Sequence, residues 1–584
     1  MSKPLVLIEI WNRGGCLVTD LRTPMRSVFL GAAFAAISAF AASPAGPEVR
    51  VPFKDYRQGS TPAEALKAMS LPKGFQVTLV AAEPRVVQPI AMCFDEKGRL
   101  WVVEGMSYPR KRGDGKGKDR IIILEDPLGD GSYGKSTVFY EGLDLVSGIE
   151  VGHGGVWIGA APELLFIPKD AQDKPGKPRV VLDGWAMQDT HETLNSFTWG
   201  PDGWLYGCHG VFTHSVVGKP GAPDTKRVKI NAGVWRFHPT SHVFEIFAEG
   251  TSNPWGLDYD ARGEFFNTAC VIPHLYHILP GARYQRQAGQ HFNPYTYDDI
   301  KTIADHAHYA GGRIHKPDPL KIPETTDAVG GGHAHSGLAI YNGDNFPEAY
   351  RGMLIFGNLH GHRLVSDQIE PAGSGFVGHH GNDFLRSNDA TFIPVSQRVG
   401  PDGALYLSDW SDVQVCHNNT QEIWDRTNGR IYRVSFGNPV SRARDLGALA
   451  DAELVEVALT DANEYFVRQA RKVLAERGLA GVKISGDSRE KLRSVLTSDA
   501  DPLRRLRALW ILQSANLLDD ALLAASLKDA DPAVRGWAVR LIAQQWTVSV
   551  PALAALAKTE SSAGPPRTRF VSFLSSACSA RCDC

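Results

Sequence analysis

The nineteen histidines are the residues of this chain best suited to chemistry, and they occupy only one part of it. All of them lie between His153 and His417. A neutral imidazole can take a proton from a substrate hydroxyl or donate a lone pair to a metal ion. This distribution predicts that the middle of the chain, and not its last part, carries the function.

His191 is the candidate general base for such a proton transfer. It lies just before a predicted strand that leads into a Gly-Pro-Asp-Gly turn, at a point where an inner strand would approach the centre of a ring. Asp189 or Glu192 could hold the imidazole in one tautomer. Asn253 precedes another predicted strand in the same way, so we expect both side chains at the same axial end.

Closely spaced histidines also favour a metal site in the same region. Two histidines at positions i and i+2 of a strand share one face, and His274 and His277 would converge on one helical turn. Three imidazoles with a carboxylate would suit zinc, copper or iron. An isolated His-x-His pair is more often a hydrogen-bonded loop pair, so both interpretations stay open. The i, i+2 pairs are His306 with His308, His333 with His335, and His360 with His362.

A short sequence motif that recurs six times predicts the fold that positions these residues. Each copy is a glycine-containing turn followed at once by an aromatic or aliphatic strand, the pattern of a tight β-hairpin. Six copies over residues 72–435 give about 60 residues per unit, as expected for the blades of a six-bladed β-propeller. The turns contain Gly98, Gly154, Gly203, Gly263, Gly352 and Gly403.

Beyond the last predicted blade, helical periodicity replaces the glycine turns. Asp-Pro pairs at Pro502 and Pro532 are typical helix starts, because aspartate caps the helix and proline suits its first turn. Their spacing predicts HEAT-like helical repeats, a short α-solenoid, over residues 445–560. Residues 561–584 form an irregular tail with three cysteines, which we interpret as a disordered end in preference to a metal or redox clip.

The N-terminal region is typical of an exported protein. Arginines precede an apolar run at residues 28–37, and Ala39-Phe-Ala41 offers a signal-peptidase site. Met25 is then the expected true start, residues 1–42 hold the signal peptide, and 43–71 form a lead segment. An uncleaved signal acting as a membrane anchor stays open. We therefore expect a periplasmic or membrane-associated protein.

Composition limits the partners. The chain has 62 lysines and arginines against 64 aspartates and glutamates, so no excess of positive charge indicates nucleic acid as a ligand. The sequence Cys-x-x-Cys-His occurs nowhere in it, which argues against c-type haem within this chain.

Several motifs together resemble a known group of enzymes. Their order is similar to that of the soluble glucose/sorbosone dehydrogenases, six-bladed quinoproteins that hold pyrroloquinoline quinone (PQQ) and calcium over the propeller axis. Nearly the whole chain resembles a bacterial family of membrane-bound dehydrogenases, in which an exported propeller precedes HEAT-like repeats. The motifs include Thr190-His-Glu192, Trp199-Gly-Pro-Asp-Gly-Trp-Leu-Tyr206, Asn253-Pro-Trp-Gly-Leu257, His335-Ser-Gly-Leu-Ala-Ile-Tyr341 and Gly400-Pro-Asp-Gly-Ala-Leu-Tyr406.

The resemblance implies roles for individual residues. His191 matches the catalytic base and Asn253 matches an asparagine of the cofactor site. His360 falls where a lysine is expected, and Ser252 stands where an arginine is expected.

The cofactor itself is where the chain departs from the family pattern. Paired arginines that clamp the quinone carboxylates would fall near Ile393 and Val395. PQQ carries three carboxylates, and each lost charge-assisted hydrogen bond removes about 1.5–3 kcal/mol. The resemblance thus implies PQQ with calcium, whereas these residues argue against it and leave a transition metal as the rival.

Two classes of function remain open from the sequence. In the first, the protein oxidises a sugar or polyol hydroxyl with a propeller-bound cofactor and passes electrons to a separate carrier, such as a cytochrome c. In the second, it is a non-catalytic module whose propeller and HEAT-like surfaces bind a glycan or a protein. The concentration of histidines favours the enzyme, and the missing arginines favour the binding module.

Overall fold

The computed structural model describes residues 60–113, 115–126, 131, 133–270, 274–293, 298–306, 334–416 and 424–544. Several predicted features lie outside these described residues: the signal peptide, most of the lead segment, His308, His333 and the C-terminal tail. The description below concerns only the described ranges.

Six sheets form the blades of a β-propeller, as the sequence predicts, and all but one of their described strand pairs are antiparallel. Strand β1 (Phe75–Ala82) comes first in the chain but belongs to the last blade. Blade 1 contains β2 (Pro89–Phe94), β3 (Leu100–Glu104), β4 (Asp119–Glu125) and β5 (Lys135–Leu143). Blade 2 contains β6 (Val146–Gly152), β7 (Gly155–Ala160), β8 (Glu163–Pro168) and β9 (Arg179–Leu182).

Blade 3 carries an inserted hairpin. It contains β10 (Asn195–Trp199), β11 (Leu205–His209), the hairpin of β12 (Ser215–Val217) and β13 (Val228–Ile230), then β14 (Gly233–Phe237) and β15 (Phe244–Thr251). Blade 4 contains β16 (Pro254–Tyr259), β17 (Phe265–Ala269) and β18 (Leu275–Ile278), followed by β19 (Arg283–Arg286), which pairs parallel to β15.

The last two blades have four strands each. Blade 5 contains β20 (His335–Ile340), β21 (Leu354–Asn358), β22 (Arg363–Ala372) and β23 (Gly375–Arg386). Blade 6 contains β24 (Pro394–Val399), β25 (Leu405–Asp409), β26 (Arg430–Phe436) and the outer strand β1.

Pairing between the two ends of the propeller closes the ring. Strand β1 runs antiparallel to β26, from Phe75 opposite Phe436 to Ala82 opposite Arg430. Arg430 also donates to the carboxylate of Glu83 at 3.0 Å. Strand β1 thus completes the sheet of blade 6, and this one sheet joins the first and last parts of the propeller sequence.

The six predicted turns share one position in the fold. Each joins the innermost strand of its blade to the next strand outwards. In blade 3, the carboxylate of Asp202 accepts hydrogen bonds from the hydroxyl of Tyr206 at 2.8 Å and from Arg236 at 3.1 Å. Asp402 and Tyr406 repeat this contact in blade 6 at 3.2 Å. The Pro-Asp-Gly-x-Leu-Tyr motif therefore forms a hairpin that is stabilised by hydrogen bonds between its own aspartate and tyrosine side chains.

Helices flank the propeller. Helix α1 (Pro62–Ala68) begins with the capping box of Thr61 and Glu64. The C-terminal helices are α2 (Asp451–Thr460), α3 (Glu464–Leu479), α4 (Gly486–Ser498), α5 (Pro502–Ser514), α6 (Asp520–Ser526) and α7 (Pro532–Gln544). Both predicted Asp-Pro starts are confirmed, and Asp501 caps α5 through the backbone N–H of Leu503 at 2.9 Å.

The C-terminal helices form a short solenoid. Helix α2 packs on α3, α4 on α5, and α6 on α7, and successive pairs contact each other through α3, α5 and α7 on one side. That side covers the propeller end that bears the six turns: Tyr465 donates to the carbonyl of Asp95 at 2.7 Å, and Trp537 donates to that of Arg262 at 2.8 Å. The opposite end, where the inner strands begin, is not covered by these helices.

The inner strand β16 has no room for a side chain at Gly256. Gly256 on β16 has a φ of 141°, and a methyl group there would collide with Thr268 Oγ1 and the carbonyl of Gly337. We expect Gly256→Ala to lower the free energy of unfolding by about 1–3 kcal/mol, because backbone must move to accept it. Urea unfolding measures this. Gly134→Ala, with open space around the new methyl, is the control, and equal loss in both variants would contradict the prediction.

Candidate functional site

The end of the propeller opposite the solenoid gathers several of the predicted residues. His191 and Glu192 lie in the segment that leads into β10, Asn253 lies directly before β16, and His335 begins β20. Each therefore stands where an inner strand starts. The geometry places all four at the end opposite the solenoid.

His191 and Asp189 form a hydrogen-bonded pair. The imidazole Nδ1 lies 2.5 Å from Asp189 Oδ1. An Nδ1–H that donates to this carboxylate leaves Nε2 as the acceptor, which is the tautomer a general base requires. The side chain of His191 is 26% exposed.

The charges around His191 determine its basicity. Burial lowers the pKa of His191, but the hydrogen bond and charge of Asp189 and the charge of Glu192 outweigh it, so the pKa lies above its ordinary value. Burial raises the pKa of Glu192 to about 7. The backbone N–H of Phe212 donates to Glu192 Oε1 at 2.6 Å, which holds the buried carboxyl group beside the pair.

Asn253 holds in place the loop that contains Val211 and Phe212. Its side-chain oxygen accepts a hydrogen bond from the backbone N–H of Val211 at 3.0 Å, and its carbonyl accepts from Cys270 at 3.0 Å. Val211 directly precedes Phe212, the residue that holds Glu192. The structure thus connects Asn253 to the His191 pair through the loop, with its carboxamide oxygen committed to backbone.

An apolar cluster lies at the starts of the inner strands, and we call it the axial apolar cluster. It consists of Trp255, Ile393, Val395 and Trp410, which are all buried. Leu359, the neighbour of His360 in the turn between β21 and β22, packs against it. His360 therefore lies at the same end of the propeller as His191.

The axial apolar cluster contains the two positions at which the resemblance implies cationic partners for PQQ. Ile393 and Val395, at the positions where the resemblance implies arginines, are 2% and 5% exposed and pack against two tryptophans. Three carboxylates need cationic partners to offset their desolvation. Ile393 and Val395 supply none, so these two positions do not provide the cationic clamp that the resemblance implies for PQQ.

A second group of side chains lies where blades 4 and 5 meet, and we call it the histidine cluster. Asp367 on β22 contacts two imidazoles: Oδ2 is 3.0 Å from His274 Nε2 and Oδ1 is 3.2 Å from His306 Nε2. The ring of His335 lies 4.9 Å from that of His274, and the ring of His380 lies 5.2 Å from that of His306.

The structure corrects the predicted partnership of His274 and His277. The two do not lie on a helical turn, because residues 275–278 form strand β18. Side chains alternate along a strand, so positions three apart point to opposite sides. His277 Nε2 instead contacts Glu264 Oε2 at 2.9 Å. The structure therefore separates His277 from His274. A metal role for His274, His277, His335 and His333 stays a prediction, and His333 lies outside the described residues.

Sequence reasoning missed Asp367. It is separated from His274 by 93 positions, and its local sequence is an ordinary buried strand. Only the pairing of β22 within blade 5 and the packing of blade 5 on blade 4 bring it to the histidines.

The family of the chain follows from its sequence. Residues 61–437 match the profile of a family described as a domain of unknown function, DUF7133. The chain belongs to this DUF7133 family. Among curated proteins, none matches it.

The DUF7133 chain is also similar to solved structures, all at low identity. One is an oxidoreductase described as a glucose dehydrogenase from Thermus thermophilus, with 18% identity, a TM-score of 0.36, and coverage of 62% of this chain and 99% of that one. The PQQ-bound aldose sugar dehydrogenase from Streptomyces coelicolor shows 15% identity and a TM-score of 0.37, at 62% and 99% coverage. An AA12 carbohydrate-active enzyme from Trichoderma reesei shows 12% and 0.40, at 63% and 97%.

Among the described helices of this DUF7133 protein, none combines the length and the apolar character needed to cross a bilayer.

Glu192 should give the stability of this DUF7133 protein a distinct pH dependence. Its pKa is about 7 in the folded state and about 4.3 when unfolded. Between these values the folded state holds a proton that the unfolded chain releases, so stability falls as pH rises from about 4 to about 7. The glutamine of Glu192→Gln stays neutral at every pH. We therefore expect the free energy of unfolding of this variant to fall by about 3 kcal/mol less than that of the wild type over this pH range.

Urea unfolding at pH 5 and pH 8 measures the difference for Glu192→Gln. The control is Glu141→Gln, an exposed position on β5, which should follow the wild type. An unchanged pH dependence in Glu192→Gln would contradict the assigned environment of this carboxyl group.

Proposed function

We propose that this DUF7133 protein is an exported oxidoreductase that oxidises a sugar or polyol hydroxyl at the end of the propeller opposite the solenoid and passes the electrons to a separate carrier. The contact between His191 Nδ1 and Asp189 Oδ1 at 2.5 Å carries the proposal. It leaves a partly exposed imidazole with an acceptor nitrogen and a raised pKa.

The proposed reaction follows from that geometry. His191 Nε2 takes the proton of the substrate hydroxyl while the adjacent carbon loses a hydride to a two-electron acceptor, and the C–O bond becomes a carbonyl. Asp189 orients the imidazole and stabilises its protonated form. Glu192 keeps the surroundings of the pair negative when it is ionised, which further favours the protonated form.

A group of aromatic side chains near the His191 segment supports a carbohydrate or polyol as substrate. Tyr108 contacts Trp410 and Trp424 edge-on, with ring centroids 5.9 and 5.4 Å apart. Aromatic rings provide flat apolar surfaces for the C–H faces of sugars, while the nearby polar groups can bind hydroxyls. We therefore place the substrate ring against this aromatic edge and its reacting hydroxyl at His191.

A cytochrome c takes one electron at a time and no hydride, so the separate carrier is proposed to reoxidise the two-electron acceptor in two one-electron steps. The solenoid is proposed as the surface that binds such a partner. Because Ile393 and Val395 supply no cationic partner for the PQQ carboxylates, no step of the reaction is assigned to PQQ.

A dye-linked assay tests the proposal. The exported protein is incubated with a panel of sugars and polyols and an artificial two-electron acceptor, with and without added PQQ and calcium, and the carbonyl product is identified by mass spectrometry. We expect turnover of at least one hydroxyl substrate without any need for PQQ. Turnover only after addition of PQQ would contradict the assigned lack of fit, and no turnover under any condition would contradict the enzyme.

A non-catalytic glycan-binding function is the second candidate, and one observation favours it. Ile393 and Val395 replace the cationic clamp with buried apolar side chains. Calorimetry with the same sugar panel separates the two functions, because binding without product formation would support recognition alone.

A further inference from the structure

We propose that His274, His306 and Asp367 of the histidine cluster bind a divalent transition-metal ion of the zinc class. Two imidazole nitrogens and one carboxylate group provide ligand atoms that all lie within 4.8 Å of one another. The proposed oxidation at His191 uses none of these residues, so the inference goes beyond that function.

The arrangement of donor atoms is the first argument. Asp367 presents one oxygen to each Nε2, at 3.0 and 3.2 Å, so the three groups face a common point. Zinc and related ions take imidazole nitrogen at about 2.0–2.1 Å and carboxylate oxygen at about 2.0–2.2 Å. Two ligand atoms on one such ion can lie no more than about 4.4 Å apart, so the 3.0 and 3.2 Å contacts are compatible with those bond lengths.

Burial is the second argument. Asp367 is fully buried and the side chain of His274 is 1% exposed. A carboxylate removed from water is costly unless a cation compensates its charge. A divalent ion held between Asp367 and the two imidazoles would supply that compensation while the histidines stay neutral.

The outer contacts of His306 are the third argument. Its Nδ1 lies 3.0 Å from Asp305 Oδ1, which directs Nε2 towards Asp367. Asp305 also contacts His379 Nδ1 at 2.5 Å, and His379 Nε2 contacts Glu370 at 3.0 Å. A carboxylate behind a ligating histidine is the usual outer shell of a protein metal site, since it sets the tautomer and raises the basicity of the ligand.

Two further imidazoles could complete the coordination. The ring centroid of His335 lies 4.9 Å from that of His274, and the ring centroid of His380 lies 5.2 Å from that of His306. A tetrahedral site needs only one ligand beyond the three named. The competing explanation is a hydrogen-bonded cluster that holds its imidazoles in place without a metal.

Metal analysis of the full chain distinguishes these explanations. The protein is stripped with a chelator, titrated with Zn²⁺ in competition with a fluorescent indicator, and then with Co²⁺, whose visible absorption reports tetrahedral nitrogen and oxygen ligation. We expect one tightly bound equivalent and a higher Tm with the ion bound. Failure to retain any ion would overturn the inference.

Variants locate the ion. His306→Gln and Asp367→Asn should lose the bound equivalent, and Asp305→Asn should weaken binding by about 10–100-fold. His242→Gln, at an exposed position remote in sequence from the cluster, and His191→Asn should both bind as the wild type does. Wild-type affinity in His306→Gln and Asp367→Asn would overturn the site.

Two further measurements show whether the ion is assigned to the right site and whether each variant is folded. Asp189, His191 and Glu192 also present ligand atoms within 4.8 Å of one another, so loss of the ion in His191→Asn would assign it there and refute the inference. Circular dichroism of the stripped variants shows whether each is folded. His306 is partly exposed at 11%, so His306→Gln is expected to stay folded and to decide the question by itself.

Discussion

His191→Asn is expected to lower kcat by about 10²–10⁴-fold, the usual contribution of a general base. Asparagine keeps a polar group at the site but cannot accept the hydroxyl proton at neutral pH. The free energy of unfolding should fall by no more than about 1.5–3 kcal/mol, because the variant loses the hydrogen bond to Asp189 but leaves the core clusters unchanged. Dye-linked kinetics and urea unfolding of the same preparation measure both quantities.

Asp189→Asn provides the matched test of the same pair. Activity requires the neutral imidazole, so it falls at pH values below the pKa of His191. Asp189 raises that pKa through its hydrogen bond and charge, so its removal should move the acid limb of the pH–rate profile to lower pH. A profile that does not move, or full activity in His191→Asn, would show that the pair is not the base.

Trp510→Ala is expected to lower the free energy of unfolding by about 3–5 kcal/mol, the cost of truncating a large buried aromatic side chain. Trp510 lies on α5 with no exposed surface, and its ring is 5.3 Å from that of Trp537 in an edge-on contact. Both indoles lie against Gly263, at one of the propeller turns. The truncation therefore opens a cavity in the contact between solenoid and propeller.

Urea unfolding measures the effect of Trp510→Ala. Val482→Ala, at a position 55% exposed in the same solenoid, is the control and should change stability by less than about 0.5 kcal/mol. If the two variants unfold alike, the solenoid does not depend on this contact. A separate unfolding step in Trp510→Ala would show that the solenoid has lost its coupling to the propeller.

Local sequence was enough to predict the blades and the helix starts. A tight hairpin needs residues that accept its backbone geometry, so the turns at Gly203 and Gly403 could be read directly from Pro-Asp-Gly. Asp501 and Asp531 likewise cap helices through atoms two residues away. The placement of His191 before an inner strand follows from the same short-range pattern.

Tertiary structure decided the features that depend on distant residues. Phe75 pairs with Phe436 to close the ring, which no local pattern specifies. Asp367 reaches His274 only because blade 5 packs on blade 4, and His277 leaves the group because a strand, not a helix, carries it. Hydrophobic periodicity and turn chemistry act over a few residues, whereas a site is assembled by sheet pairing and packing across the whole ring. The sequence by itself therefore determined the repeating hairpins and the capped helices, and the folded ring determined which side chains meet.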